Sequence, residues 1–142
     1  MRITIVLAAV VLVQTAAAQT PVADLATPAS YAQHFTVMST AGKHGESTRW
    51  TTPEGVRMGR ESIVLRGQVF ELDSASHVGA DGMLDRVTVR GVTPNGDAAE
   101  TFNIGGGTAT WKSPVDGSSA PYKAPAMYIA FGGPVDLVAD LA

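Results

Sequence analysis

The sequence predicts a mainly β protein: a curved, half-barrel-like antiparallel meander that follows an N-terminal signal peptide and ends in a short helix. Three observations carry this. Runs of four to eight residues rich in Val, Ile, Thr, Phe and Trp alternate between two faces, as half-buried strands do. Glycine-bearing turn signals separate them, at Asp81-Gly82, Asn95-Gly96 and Gly105-Gly106-Gly107. A 3.6-residue apolar stripe is missing from Val56 to Asp73, the longest uninterrupted segment, which disfavours a helix there.

The 142 residues hold one domain. Met1-Arg2 forms a positive n-region, Ile3 to Val13 an apolar h-region, and Ala16-Ala17-Ala18 a small-residue cleavage site, so residues 1–18 read as a signal peptide. The apolar run is too short to span a bilayer as a helix, which disfavours the rival reading of a membrane anchor. A lipid anchor would need a cysteine at the cut, and the chain contains none. A periplasmic or secreted location is therefore expected, with no stable membrane span after cleavage. Losing Arg2 moves the formal charge from −3 to about −4. The scattered basic residues give no reason to expect nucleic acid, whose binding rests on clustered Lys and Arg. Without disulfides, stability must come from the core alone.

In chain order, residues 19–30 carry two prolines and read as a flexible lead-in. Residues 31–131 are the antiparallel β domain. Tyr31 to Ala41 is a first strand with Phe35 and Val37 on one face, and Gly42-Lys43-His44-Gly45 is a turn. Glu46 to Thr52 is a second strand, broken at Pro53-Glu54-Gly55. Val56 to Asp73 is the longest β-like segment, and its parity fails after Gly67. That glycine is expected to mark a bulge or strong bend, where a missing Cβ lets the strand coil. Ser74 to Gly82 leads through the Asp81-Gly82 turn to a strand at Leu84–Val92. The Asn95-Gly96 pair predicts a type I′ hairpin, because that turn needs φ > 0 at both central residues. Strands at Glu100–Ile104 and Thr108–Lys112 flank the triple glycine. Ser113 to Pro125 reads as a loop and Met127 to Phe131 as a short apolar strand or strand-like insert. Residues 132–142 begin a helix, with Pro134 at its first position and Asp136 in the first turn. It reaches the last residue without a cap, which suggests a longer natural chain.

Little in these residues spells chemistry. His34, His44 and His77 form no H-x-H or H-E-x-x-H pair, and no cysteine completes a zinc set. Ser118-Ser119 lacks a G-x-S-x-G elbow. The acidic pairs Asp81 with Asp85 and Glu71 with Asp73 are expected as solvated carboxylates on a wet sheet face. The triple glycine lacks the Lys-Ser/Thr of a phosphate loop. Catalytic, cofactor-binding and metal-binding residues are accordingly expected to be absent. Trp50 and Trp111 are expected in the core. The alternative is an apolar groove lined by Trp50, Phe70, Phe102 and Trp111, which would make the chain a free-standing carrier of an apolar small molecule.

Two regions carry a resemblance. One is Phe35 to Glu46. The other is Glu100 to Ser113, with its Ala109-Thr110-Trp111-Lys112-Ser113 run, followed by Pro125-Ala126-Met127-Tyr128 and by Gly133 to Ala142. Together they resemble the N-terminal β-region of secreted bacterial amidohydrolase-family proteins. The resemblance implies a following (β/α) barrel in which histidines, a lysine and an aspartate hold one or two divalent metal ions that activate water. None of those ligands maps onto this chain, which is too short for a barrel of roughly 250 residues. The implied function is a non-catalytic N-terminal segment whose partner is its own C-terminal barrel. A complete small enzyme is the least supported reading.

Overall fold

A computed structural model describes residues 19–130. The expected signal peptide and the expected C-terminal helix lie outside the described residues. Within them the chain is an antiparallel sheet of nine strands: β1 Gln33–Ser39, β2 Gly42–Thr51, β3 Arg57–Leu65, β4 Gln68–Val78, β5 Leu84–Thr93, β6 Gly96–Asp97, β7 Glu100–Gly105, β8 Thr108–Lys112 and β9 Gly117–Pro121. Each strand pairs with the next, except that β5 pairs with both the two-residue β6 and with β7. The meander is as expected. It does not close into a barrel, so β1 and β9 are its two edges.

Cross-strand partners point to the same side of a sheet, so the register defines two faces. Phe35, Ser47, Glu61, Leu72 and Gly91 form one row, and Arg57, Ser76, Val87, Phe102, Trp111 and Ser118 form another on the same face. This face, A, carries the core of Leu72, Leu84, Val87, Val89, Ala98 and Phe102, with Trp111, Tyr128 and Ala130 packed against it. Face B carries Trp50, Met58, Ala75, Thr88, Thr101 and Lys112 in one row.

Several turns differ from expectation, each for a local reason. The first reversal is at Thr40-Ala41, and Gly42 to Gly45 belong to β2. Gly45 is there for contact: a Cβ on it would lie 2.1 Å from the Ser62 carbonyl oxygen. The register slips between Val37 and Met38, leaving His44 as the extra residue of a bulge. Gly67 is neither a bulge nor a bend. Arg66 and Gly67, at φ 53° and 76°, are the two central residues of a hairpin turn that splits the long segment into β3 and β4. The type I′ turn expected at Asn95-Gly96 does not form: Asn95 does not take a positive φ, and Pro94, which would flank that turn paired with Asp97, has no N–H to donate. Pro94-Asn95 turns the chain instead, with the Asn95 amide donating to Thr93 Oγ1 at 3.1 Å and Gly96 opening β6 at φ 105°. At the triple glycine, Gly106 and Gly107 take φ 57° and 75° between the paired Gly105 and Thr108, the signature expected of a two-residue hairpin.

Two segments are more ordered than their composition suggested. β9 lies inside the expected Ser113–Pro125 loop. The lead-in makes a 3-10 turn at Val22–Asp24, buries Leu25, and donates the Ala26 amide to Asp73 Oδ2 at 2.6 Å. Residues 126–130, by contrast, form no strand. They are held by a ring contact: Tyr128 stacks on Phe102 with centroids 4.3 Å apart and planes 9° from parallel.

Candidate functional site

The four aromatics expected to share a groove are divided by the register. Phe102 and Trp111 are direct cross-strand partners on face A. With Tyr122, Met127 and Tyr128 they bound a small apolar cavity of about 230 Å³, below the usual size of ligand pockets. Phe70 is on the same face, beside Ile63. It stands six residues away along the strands, about 20 Å at the strand rise. Trp50 is on face B, opposite Met58. Side-chain parity within a strand was legible, but the relation between strands depends on where each turn falls.

The charged groups form local pairs on both faces. On face A, Arg49 meets Glu61 at 2.6 Å and the Tyr128 hydroxyl donates to Glu100. Burial, and then this bond to Glu100, push the Tyr128 phenol well above its ordinary value. On face B, Arg60 meets Glu71 at 2.8 Å, and Ser62 donates to the other oxygen of that carboxylate. Arg90 grips Asp73 through Nε at 3.0 Å and through Nη2, and this bond raises the guanidinium further. Glu71 and Asp73 are thus not the solvated carboxylates expected. They are partly and almost fully buried, and paired. Asp85 and Asp81 are also engaged, Asp85 by His77 Nδ1 at 2.7 Å and Asp81 by the Tyr122 hydroxyl at 2.7 Å.

Each histidine has its own neighbour. His34 faces Thr48 at 3.3 Å, His44 faces Ser39 at 2.6 Å, and His77 faces Asp85. They sit on β1, β2 and β4, and among the described residues no three His, Asp or Glu side chains converge as metal ligands do. The ion pairs bridge neighbouring strands, and Asp73 also ties the lead-in to the sheet by accepting from the Ala26 amide.

Among what the sheet offers outward are its first edge and the β3–β4 hairpin tip. β1 pairs only with β2 among the described strands, which leaves backbone donors and acceptors along its free side. It exposes Phe35 (50 %) and Met38 (67 %). At the tip of β3–β4, the cross-strand partners Val64 and Val69 are 52 % and 45 % exposed.

No family model, curated protein or solved structure matches the chain.

Proposed function

We propose that this chain is the non-catalytic N-terminal β segment of a secreted amidohydrolase-like, metal-dependent hydrolase. Its sheet supports a catalytic barrel lying outside these residues. The observation that carries the reading is the open β1 edge with Phe35 and Met38 exposed beside it, together with the Val64–Val69 tip. Such a surface is stable when a neighbouring body covers it and aggregation-prone when it is bare. The Trp111-Lys112-Ser113 and Pro125-Ala126-Met127-Tyr128 runs support the choice of family. The divalent metal belongs to the barrel, since the histidines described here serve three separate local contacts. A carrier function is less well supported, because its four lining aromatics occupy two faces and two ends of the sheet.

An antibody against residues 19–130, applied to cell and exported fractions of the source organism, tests this. The expected result is a species in the exported fraction larger than the 14.7 kDa chain by a barrel of roughly 250 residues. A species of 14.7 kDa or less, with nothing larger, overturns it.

A further inference from the structure

We propose that the cleft between β5, the start of β7 and the end of β8 binds a small carboxylate with an apolar tail. The cleft encloses about 640 Å³, within the range of small-molecule sites. Its size comes from a change of partner. β5 pairs with β7 up to Val89–Glu100, then with β6 from Val92–Asp97, and Ala98-Ala99 cross the gap between. Ala99 and Pro114 supply apolar wall, the strand backbone at Val89 forms the floor, and Thr20 of the lead-in closes one side.

The polar lining carries donors at Thr88, Arg90, Thr101, Lys112 and Ser113, and carboxylates at Asp97 and Glu100. Thr88, Thr101 and Lys112 form one cross-strand row on face B, spanning two strand spacings, about 10 Å. Among the described residues neither threonine hydroxyl has a hydrogen-bond partner, and the Lys112 ammonium has no carboxylate. This contrasts with Arg60 and Arg90 on the same face, which are both paired. Arg90 also lines the cleft, its side chain 42 % exposed while Nε and Nη2 hold Asp73. Of the two acids at the wall, Asp97 accepts from the Ala99 amide at 3.1 Å, and Glu100 accepts from Tyr128. Asp97 repels an anion at the β6 end, so the ligand's carboxylate belongs at the Lys112 end. There it accepts from the ammonium and the two hydroxyls. The tail then displaces water from Ala99 and Pro114. One anionic head and an apolar body satisfy this lining. A dianion such as phosphate does not, with a carboxylate at one end and an apolar wall between.

The site is independent of the barrel-supporting role and is tested separately. Amide chemical shifts of the 142-residue chain are followed on titration with sodium octanoate and with 1-octanol. The expected result is saturable shifts at Thr88, Thr101 and Lys112 with octanoate. Binding of octanol, and of octanoate to Lys112→Gln, should be weaker by about tenfold, the usual value of one charge-assisted hydrogen bond. Lys112 is exposed, so the variant keeps the fold, which its own spectrum verifies. Equal binding of octanoate and octanol overturns the proposal. So do shifts that never saturate, or saturable shifts centred away from this row.

Discussion

Gly91→Ala perturbs the place where two of the longest strands meet. Gly91 pairs with Leu72 across β4–β5 and has φ 117°. A Cβ at this position would lie 2.0 Å from the Glu71 carbonyl oxygen and 3.1 Å from Leu72 Cα. The obstacle is backbone, so no side-chain rotation relieves it, and β5 must move away from β4 by more than an ångström. Two costs combine. Holding alanine in a glycine-only backbone region costs about 1–3 kcal/mol, and overpacking in a tight interior costs about as much again. A loss of about 4 kcal/mol is expected, a large share of the roughly 5–15 kcal/mol that holds a domain together. In urea, with a slope of about 1–3 kcal/mol per molar, the midpoint should fall by about 2 M. Gly106→Ala is the control. Its φ is 57° and nothing lies within 4 Å, so only the left-handed backbone cost of about 1 kcal/mol applies. Tryptophan fluorescence during urea unfolding gives both numbers. A Gly91→Ala midpoint no lower than that of Gly106→Ala refutes the close-approach argument.

Tyr128→Phe keeps the stack on Phe102 but deletes the donor to Glu100, and should cost about 1 kcal/mol in the same urea assay. Tyr128→Ala removes the stacked ring as well and should cost distinctly more. Because the Tyr128 phenol is raised, its contribution is complete below the ordinary phenol range and is lost as pH climbs through the folded value; Tyr128→Phe should abolish that alkaline loss. Asp73→Ala should free the lead-in by removing the acceptor for Ala26 and the partner of Arg90, so limited proteolysis around Leu25 should speed up severalfold while Gly106→Ala leaves it unchanged. The Tyr122 bond holds the Asp81 carboxyl below its ordinary value. That clasp is therefore intact above the normal carboxylate range and is lost as pH falls through the folded value, and Tyr122 ring resonances should report a transition below about 4 that Asp81→Asn eliminates.

The strands themselves were legible because their signal is local. Leu84–Thr93 and Thr108–Lys112 alternate clearly, and the parity found there matches the faces they present. The turns were half legible. Glycine states that something unusual happens to the backbone without stating what. At Gly106-Gly107 the reason is positive φ in a hairpin, whereas at Gly45 it is the Ser62 carbonyl lying too close for a side chain. Pro94 could have redirected the reading of Asn95-Gly96, since a residue flanking such a turn must donate an N–H that proline lacks. The paired acids were the least legible. Glu71 and Asp73 look like wet-face residues from alternation alone. Their partners, Arg60 and Arg90, lie 11 and 17 residues away and come into register only once the Arg66-Gly67 reversal, for Arg60, and the turn between Val78 and Leu84, for Arg90, are known. The same dependence on register separates Trp50 from Trp111.

The claim that matters most is that the β1 side of the sheet is open and built to be covered. Amide hydrogen exchange, read by mass spectrometry on the isolated protein, addresses it directly. Slowest exchange is expected along Leu72–Ser76 and Val87–Gly91, with rapid exchange of the outward amides across Gln33–Ser39. If Gln33–Ser39 instead exchange as slowly as the centre of the sheet, that edge is already paired, and the surface proposed to meet a larger neighbour does not exist.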